Sequence, residues 1–373
     1  MSDTPSTTTM TGHGDSHSRP RQSVLFASRG KGRGHAVPDV AIADALQRVV
    51  PTADVTFVSY STGALTLSRM GKHVVDLGLA EDPPLWDSVH AFARVLGHAE
   101  PDLVISHEEF SALPLAHARG APVVFLTDWF LPEDAVVMQS LRWADEIVFM
   151  DRRGLYDEPR YLAHKVTYAG CVVRPLGLGC RGRANARASL GIGADCTLAI
   201  VAPGGATIHS ERAAPLCELL AGAFELLDCP RKHLLWISAD GDYEGIRDRF
   251  LGRCDVTVMA PHQSFLETLS AGDVIVTKGN RNTLFECEAM GLPTVSVSFG
   301  LNPIDDARAV HIKSNVALRA RGLTPAFLAS VLSEAITLAP LLVPRDERIL
   351  RQPLEVVAQR LSHWLEPHAR LLS

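Results

Sequence analysis

The sequence has little that would mark a metalloprotein, a membrane protein or a nucleic-acid-binding protein. It holds seven cysteines, no two of them in a C-x-x-C pair, so the spacing typical of structural zinc and thiol redox sites is absent. The odd number of cysteines favours free thiols. No apolar run approaches the roughly 20 residues that a membrane-spanning helix needs. With 36 Lys and Arg against 42 Asp and Glu, no basic surplus is available for phosphates, so nucleic acid is not expected as a partner.

The first 21 residues are predicted to form a disordered tail. They are rich in Ser, Thr, Gly and His, and they lack the apolar core of a signal peptide. Together with the free thiols, this composition favours a cytoplasmic protein. The whole chain, at 373 residues and 46% hydrophobic residues, is long enough for two domains with full cores.

The rest of the chain alternates between short apolar β-branched runs and segments of helical period. This alternation predicts parallel βαβ units in doubly wound sheets. It is interrupted at 176–190, where glycine and arginine accumulate, as is typical of a linker. We therefore expect two Rossmann-like α/β domains facing across a cleft, at 22–175 and 191–353, followed by a closing helix within 354–373.

Residues 272–300 predict a strand–loop–helix–strand unit. Val274–Thr277 is an apolar, β-branched run that is typical of a buried strand. Thr283 is expected to open a helix, and Gly291, followed by Pro293, to close it. The N-terminus of such a helix presents unpaired backbone N–H groups, which suits an anionic ligand.

A glycine-rich loop follows the first predicted strand. Gly30, Gly32 and Gly34 would let the backbone approach a ligand closely, and His35 comes directly after them. The third glycine of a dinucleotide fingerprint would fall at position 35, so a hydride-transfer cofactor is disfavoured. An imidazole here could take a proton from a hydroxyl at neutral pH. The alternative is an ordinary turn in which the histidine caps the next helix.

A carboxylate that orients His35 should lie at the carboxyl end of a neighbouring strand, where open α/β sheets bind ligands. His107, Glu108 and Glu109 follow one predicted strand, and Asp128 follows the next. Both places are admissible, with a slight preference for Asp128 over Glu108.

Four segments in register resemble the inverting GT-B glycosyltransferases, especially the branch that includes the lipid-II N-acetylglucosaminyltransferase. The segments are GKGRGHAVPDVAIADAL at 30–46, YAGCVVRP at 168–175, APGGAT at 202–207 and GNRNTLFECEAMGLPTVSVSF at 279–299. The last is the most specific, because it resembles the donor-binding signature of that branch. The matches span most of the chain.

The resemblance implies a GT-B fold in which the first domain binds an acceptor and the second binds a nucleotide-sugar donor. It implies transfer of a sugar, expected to come from a UDP-sugar, to an acceptor hydroxyl with inversion and without a metal or cofactor. By residue match, His35 falls at the general-base position, and Glu286 matches the acid that holds the ribose hydroxyls. The resemblance leaves open whether the acceptor is a lipid or a small molecule.

The same match supplies most of the expected donor contacts, and two acids that follow the last segment are added to them. They are Gly204, Gly205, Thr207, Gly279, Asn282, Thr283, Glu286, Asp305 and Asp306. The family commonly has an acid–Gln pair followed by Asn-Ala shortly after the signature. That Gln is missing here, so Asp305 or Asp306 becomes the candidate for the sugar hydroxyls and the donor sugar stays open.

Glu286 also has a purely structural interpretation. Thr283 and Glu286 form the S/T-x-x-E pattern of a capping box, which would satisfy helix-terminal N–H groups. The local pattern alone favours capping, and only the combination with the other three segments favours the ribose role.

Two other functions remain open on the sequence: a UDP-sugar epimerase of the same fold, and a non-catalytic nucleotide-sugar-binding protein. A peripheral contact with the inner face of the membrane is a further possibility. The stripe of Trp86, Phe92 and Leu96 could touch a membrane, although a core-facing stripe is commoner.

Overall fold

The computed structural model describes residues 21–130, 136–154, 158–176, 182–204, 210–238, 243–260, 264–300 and 308–366. These residues form two α/β domains, each built on one parallel sheet. Successive residues of the first strand pack into different cores, with Val24 and Phe26 on one face and Leu25 and Ala27 on the other. A sheet that is buried on both faces is the doubly wound arrangement that the sequence predicts.

The strands of the first domain, within the described residues, are β1 Gln22–Ser28, β2 Ala53–Ser59, β3 Val74–Asp76, β4 Leu103–His107, β5 Val123–Thr127, β6 Glu146–Phe149 and β7 Val166–Tyr168. Their order in the sheet is β3-β2-β1-β4-β5-β6-β7. The helices between them are α1 Ala36–Val49, α2 Ser61–Arg69, α3 Leu85–His98 and α4 Ala112–Ala118, with 3-10 helices at Val136–Trp143 and Arg160–Lys165.

The second domain has the strands β8 Thr197–Val201, β9 Lys232–Ile237, β10 Val256–Met259, β11 Val274–Thr277, β12 Thr294–Ser298 and β13 Asn315–Arg319, as far as it is described. Their order is β10-β9-β8-β11-β12-β13. The helices are α5 Arg183–Ser189, α6 Ser210–Leu226, α7 Tyr243–Arg249, α8 Phe265–Ser270, α9 Arg281–Met290, α10 Pro325–Leu338 and α11 Glu347–Trp364.

The strand order reverses once in each sheet. In the first sheet the chain turns back between β1 and β4, and in the second between β8 and β11. Crevices at the carboxyl ends of strands form at such switch points, and they are where open α/β sheets bind ligands. The histidine loop follows β1, and the donor signature follows β11, so the fold places both predicted motifs at switch points.

Two segments differ from the sequence prediction. Helix α5 occupies part of the predicted linker, because Ala186 is buried in the second core and the Arg187 guanidinium bonds the Ala271 carbonyl at 3.0 Å. Helix α11 begins at residue 347, seven positions before the predicted closing helix, and packs Leu354 and Val357 into the core of the first domain. The last helix therefore completes the first domain.

No helix in the described ranges is both long and apolar enough to cross a bilayer. The six described cysteines are free thiols. In α3, Phe92 and Leu96 are buried in the core while Trp86 is 69% exposed, so most of the apolar stripe faces inward.

Candidate active site

The loop of residues 29–35 between β1 and α1 is shaped by close contacts. A Cβ on Gly30 would lie 2.3 Å from the Tyr60 ring, so a side chain there would collide. Gly32 has a φ of 62°, and its backbone N–H donates to the Glu81 carboxylate at 2.9 Å. The loop is therefore held between a ring and a carboxylate of the first domain.

His35 stands at the N-cap position of α1, but its side chain makes no capping hydrogen bond. The capping alternative is therefore wrong. The carbonyl of the preceding Gly34 accepts a 2.9 Å hydrogen bond from the Asn282 side chain, in the first turn of α9. Helix α9 and the histidine loop thus meet across the cleft.

The carboxylate that contacts His35 is that of Glu108, directly after β4. Nε2 of His35 lies 2.9 Å from Oε2 of Glu108, and the Thr127 hydroxyl donates to the other carboxylate oxygen at 3.0 Å. Burial alone would raise the pKa of Glu108, but its hydrogen bond with the His35 ring and its electrostatic attraction to the His35 and His107 imidazoles outweigh burial and lower that pKa. Glu108 is therefore a carboxylate. Its φ of 55° is unusual for a residue with a side chain, and such strain is commonly stored at functional sites.

Asp128, the slightly preferred partner of His35, is engaged elsewhere. Its carboxylate lies 2.8 Å from Nε of Arg281 and 3.5 Å from Nη2 of Arg308, both from the second domain. Two buried guanidinium groups hold this carboxylate, so it links the domains and leaves Glu108 to meet the histidine. The preference for Asp128 was wrong on this point.

The capping-box interpretation of Thr283 and Glu286 is also wrong. Helix α9 begins at Arg281, two residues before the predicted start, and its N-cap, Asn280, makes no side-chain cap. Glu286 is 3% exposed, and its carboxylate accepts a hydrogen bond from Arg174 at 2.6 Å. Burial raises the pKa of Glu286, and the Arg174 charge opposes that effect.

The glycines of the second domain lie on neighbouring loops. Gly204 after β8 has a φ of 81°, and a Cβ there would lie 3.1 Å from the Asn280 side chain. Gly279 after β11 has a φ of 97°, and its N–H donates to the Thr277 hydroxyl at 3.4 Å. Both loops belong to the β8–β11 switch point. Four expected donor residues lie outside the described residues, namely Gly205, Thr207, Asp305 and Asp306.

A narrow crevice of about 200 Å³ lies between the two domains beside this site. Its lining residues are Val37, Pro38, Val172, Val173, Arg174, Asn282 and Glu286. Ligand pockets usually enclose about 300–1,000 Å³, so the crevice that these residues line is narrower than the usual pocket.

His35, His107 and Glu108 place potential ligand atoms within 4.8 Å of one another, close enough for a metal to be considered. Two of these atoms already bond each other, because Nε2 of His35 meets the Glu108 carboxylate. Nδ1 of His107 bonds Asp39 at 2.5 Å. The group therefore forms two imidazole–carboxylate pairs, which need no metal to satisfy their charges.

Several site residues were missed by the sequence reasoning. Arg174 lies in the segment at 168–175 that resembles the family, so a signal was present. Asp39 looked like an ordinary acid in the first turn of a helix. Nothing local marks Arg308, which is 2% exposed and pairs with Asp128 and Asp151 of the other domain.

No protein-family model matches the chain. It is 25% identical over 355 residues to the UDP-N-acetylglucosamine–N-acetylmuramyl-(pentapeptide) pyrophosphoryl-undecaprenol N-acetylglucosamine transferase of Mycobacterium ulcerans (strain Agy99), covering 86% of this chain and 85% of the relative. The enzyme of the same name from Symbiobacterium thermophilum is 28% identical over 347 residues, with 84% and 87% covered.

Solved structures share the whole architecture. The glycotransferase of kitacinnamycin has a TM-score of 0.63 at 18% identity, covering 94% of this chain and 100% of that one. MurG of Acinetobacter baumannii has a TM-score of 0.56 at 16% identity, with 94% and 97% covered. A Listeria monocytogenes protein described as a UDP-N-acetylglucosamine 2-epimerase reaches 0.65 at 12% identity, with 94% and 97% covered.

Two parallel-sheet domains with motifs at facing switch points, together with these comparisons, define a GT-B glycosyltransferase. The predicted fold is confirmed. The resemblance to the branch that contains the lipid-II N-acetylglucosaminyltransferase is confirmed by relatives that match over more than four-fifths of the chain.

Proposed function

We propose that the protein transfers a sugar from a UDP-sugar to an acceptor hydroxyl, with inversion and without a metal, and that His35 is the general base. The roles proposed for His35 and Glu108 rest on the 2.9 Å hydrogen bond between Nε2 of His35 and the Glu108 carboxylate. An imidazole that a carboxylate orients is arranged to take a proton from a hydroxyl and to be stabilised as imidazolium afterwards.

In the proposed step, the acceptor oxygen gives its proton to Nδ1 of His35, which has no hydrogen-bond partner among the described residues. The same oxygen bonds the sugar carbon while the bond from that carbon to the phosphate oxygen breaks. The electron pair of that bond leaves with UDP, and one displacement inverts the carbon. Nδ1 is covered in the closed cleft, so the acceptor enters when the domains open.

The second domain would hold the leaving group. The N-terminus of α9 and the glycine loop after β8 offer backbone N–H groups to a diphosphate, which is the role that a metal ion plays in other enzymes. Glu286 would accept the ribose hydroxyls. Its carboxylate already borders the crevice, and Arg174 balances its charge.

The acceptor is proposed to be a lipid-linked or small hydroxyl compound, since the relatives' names describe transfer to a pyrophosphoryl-undecaprenol compound. A peripheral membrane contact is proposed at the start of α3, where Leu85 is 50% exposed and Trp86 is 69% exposed. Exposed Trp and Leu side by side are typical of residues that enter the interfacial region of a bilayer.

We expect Trp86→Ser to weaken binding to phosphatidylglycerol vesicles several-fold in a co-sedimentation assay, because the ring would no longer enter the interface. Trp143→Ser, which removes a 40% exposed Trp at the end of the 3-10 helix Val136–Trp143, is the matched control. Equal binding by the wild type and both variants, or no binding by any, would remove the membrane contact from the proposal.

The donor can be tested before the acceptor is known. UDP-sugars that bind should raise the melting temperature, because ligand binding to the folded state stabilises it by mass action. Mass spectrometry of mixtures with candidate lipid and small-molecule acceptors then identifies the product. If no nucleotide-sugar stabilises the protein, the proposed donor class is wrong.

A further inference from the structure

A second buried imidazole–carboxylate pair lies beside the proposed base and has no part in the mechanism above. Nδ1 of His107 is 2.5 Å from Oδ1 of Asp39, and the two residues are 2% and 0% exposed. Asp39 lies one helical turn after His35 in α1, and His107 directly precedes Glu108 at the end of β4. The same two elements therefore supply both pairs.

The two pairs touch through their rings. The His107 and His35 rings have centroids 4.7 Å apart and planes inclined by 70°, which is an edge-to-face contact. His35 is thus fixed on one side by the Glu108 carboxylate and on the other by the His107 ring. Asp39 in turn fixes His107, so the orientation of the His35 ring depends on the Asp39 carboxylate through the ring of His107.

Three carboxylates and one imidazole lie near His107. Asp39 on α1, Glu108 after β4 and Asp128 after β5 are the carboxylates, the last shared with arginines of the second domain, and His35 is the neighbouring imidazole. Burial lowers the pKa of His107, but these three carboxylates outweigh it and raise that pKa above its usual value. Protonated His107 in turn helps to keep Glu108 ionised.

We infer that Asp39 and His107 are positioning residues for the His35–Glu108 pair: Asp39 holds the His107 ring, which holds the His35 ring and leaves Glu108 free to bond His35. The inference rests on the proposed function, because it takes His35 as the base. A buried ion pair adds little net stability to a core, because apolar side chains of similar volume often stabilise it as well or better. The contact between the Asp39–His107 pair and His35 gives this pair a role other than stability.

The test compares Asp39→Asn with a matched control. Without its counter-charge, His107 would turn its proton toward Glu108 and compete with His35, so kcat should fall about 10- to 100-fold, as for a misplaced catalytic group, with the KM for donor nearly unchanged. The control is Glu146→Gln, another buried carboxylate of the same sheet, which bonds Arg360 at 2.6 Å and Trp364 at 2.8 Å. Glu146 begins β6, at the edge opposite the site, so its loss should lower the melting temperature and leave kcat unchanged.

A second measurement needs no variant. The imidazole nitrogen shifts of the wild-type protein, followed by NMR against pH, should show His107 titrating above the usual histidine pKa of about 6.5. The sign follows from the raised pKa: the ion pair contributes its full stability below the usual histidine pKa, and that stability is lost as pH rises through the folded value. A His107 that titrates at or below the usual histidine pKa, or equal kcat losses in Asp39→Asn and Glu146→Gln, would overturn the inference.

The two proposals fail separately. Full transfer by His35→Ala would overturn the proposed base and this inference together. Loss of transfer in His35→Ala with normal kcat in Asp39→Asn would overturn only the positioning role.

Discussion

His35→Ala should lower kcat for sugar transfer by about 10²- to 10⁴-fold, the range that a positioned general base contributes. The reason is that the His35 imidazole is the titratable base that hydrogen-bonds the Glu108 carboxylate, at 2.9 Å. Initial rates of UDP release in the presence of an acceptor measure the effect. His98→Ala, at the exposed end of α3, is the control and should keep the wild-type rate.

Donor binding should survive His35→Ala, because the proposed donor contacts lie in the second domain. A UDP-sugar that raises the melting temperature of the wild type should therefore raise that of the variant equally. If the variant transfers sugar at the wild-type rate, the protein uses another base or acts only as a nucleotide-sugar-binding protein. Formation of a free UDP-sugar isomer without any acceptor would favour an epimerase on this architecture, which the Listeria protein shares.

Glu286→Gln should raise the KM for the donor about 10- to 100-fold while kcat changes little, because a charged hydrogen bond is worth about 1.5–3 kcal/mol. The amide keeps the shape of the side chain but lacks the charge for the ribose hydroxyls. The variant also leaves Arg174 without its partner, so some loss of stability is expected, and the melting temperature should be recorded with the kinetics.

Glu288 provides a matched control on the same helix. It is 8% exposed and bonds Arg152 and Arg345, each at 2.8 Å, away from the crevice. Glu288→Gln should reduce stability without raising the donor KM. If both variants change the KM alike, or Glu286→Gln leaves it unchanged, the ribose role of Glu286 is wrong.

The fold was readable from the sequence because each signal was local. Apolar β-branched runs alternate with helical periods, and the glycine loops follow strands whose ends must lie at one edge of a parallel sheet. These features predict that His35 and the glycine loops of the second domain lie at the two switch points.

The two wrong predictions, capping by Glu286 and pairing of Asp128 with His35, have a common physical cause. Thr283 and Glu286 match a capping pattern, but Arg174 lies 112 positions away and takes the Glu286 carboxylate. Asp128 and Glu108 both follow strands. Arg281 of the second domain pairs with Asp128, and Glu108 is the carboxylate that bonds His35. A sequence shows which carboxylates reach an edge of the sheet, whereas the distant partners that claim them appear only in three dimensions.

Helix α11 limits how the cleft can move. The chain passes from the first domain to the second near Gly170 and returns by α11, where the Pro353 ring lies 3.6 Å from the position of a Gly170 Cβ. Because both passages meet at one place, opening is expected to be a rotation about that contact. A fragment that ends before α11 would leave Ile42 and Leu46, which share a core with Leu354, exposed to water. The first domain should therefore not fold as a separate piece without α11, although its sheet is complete by residue 168.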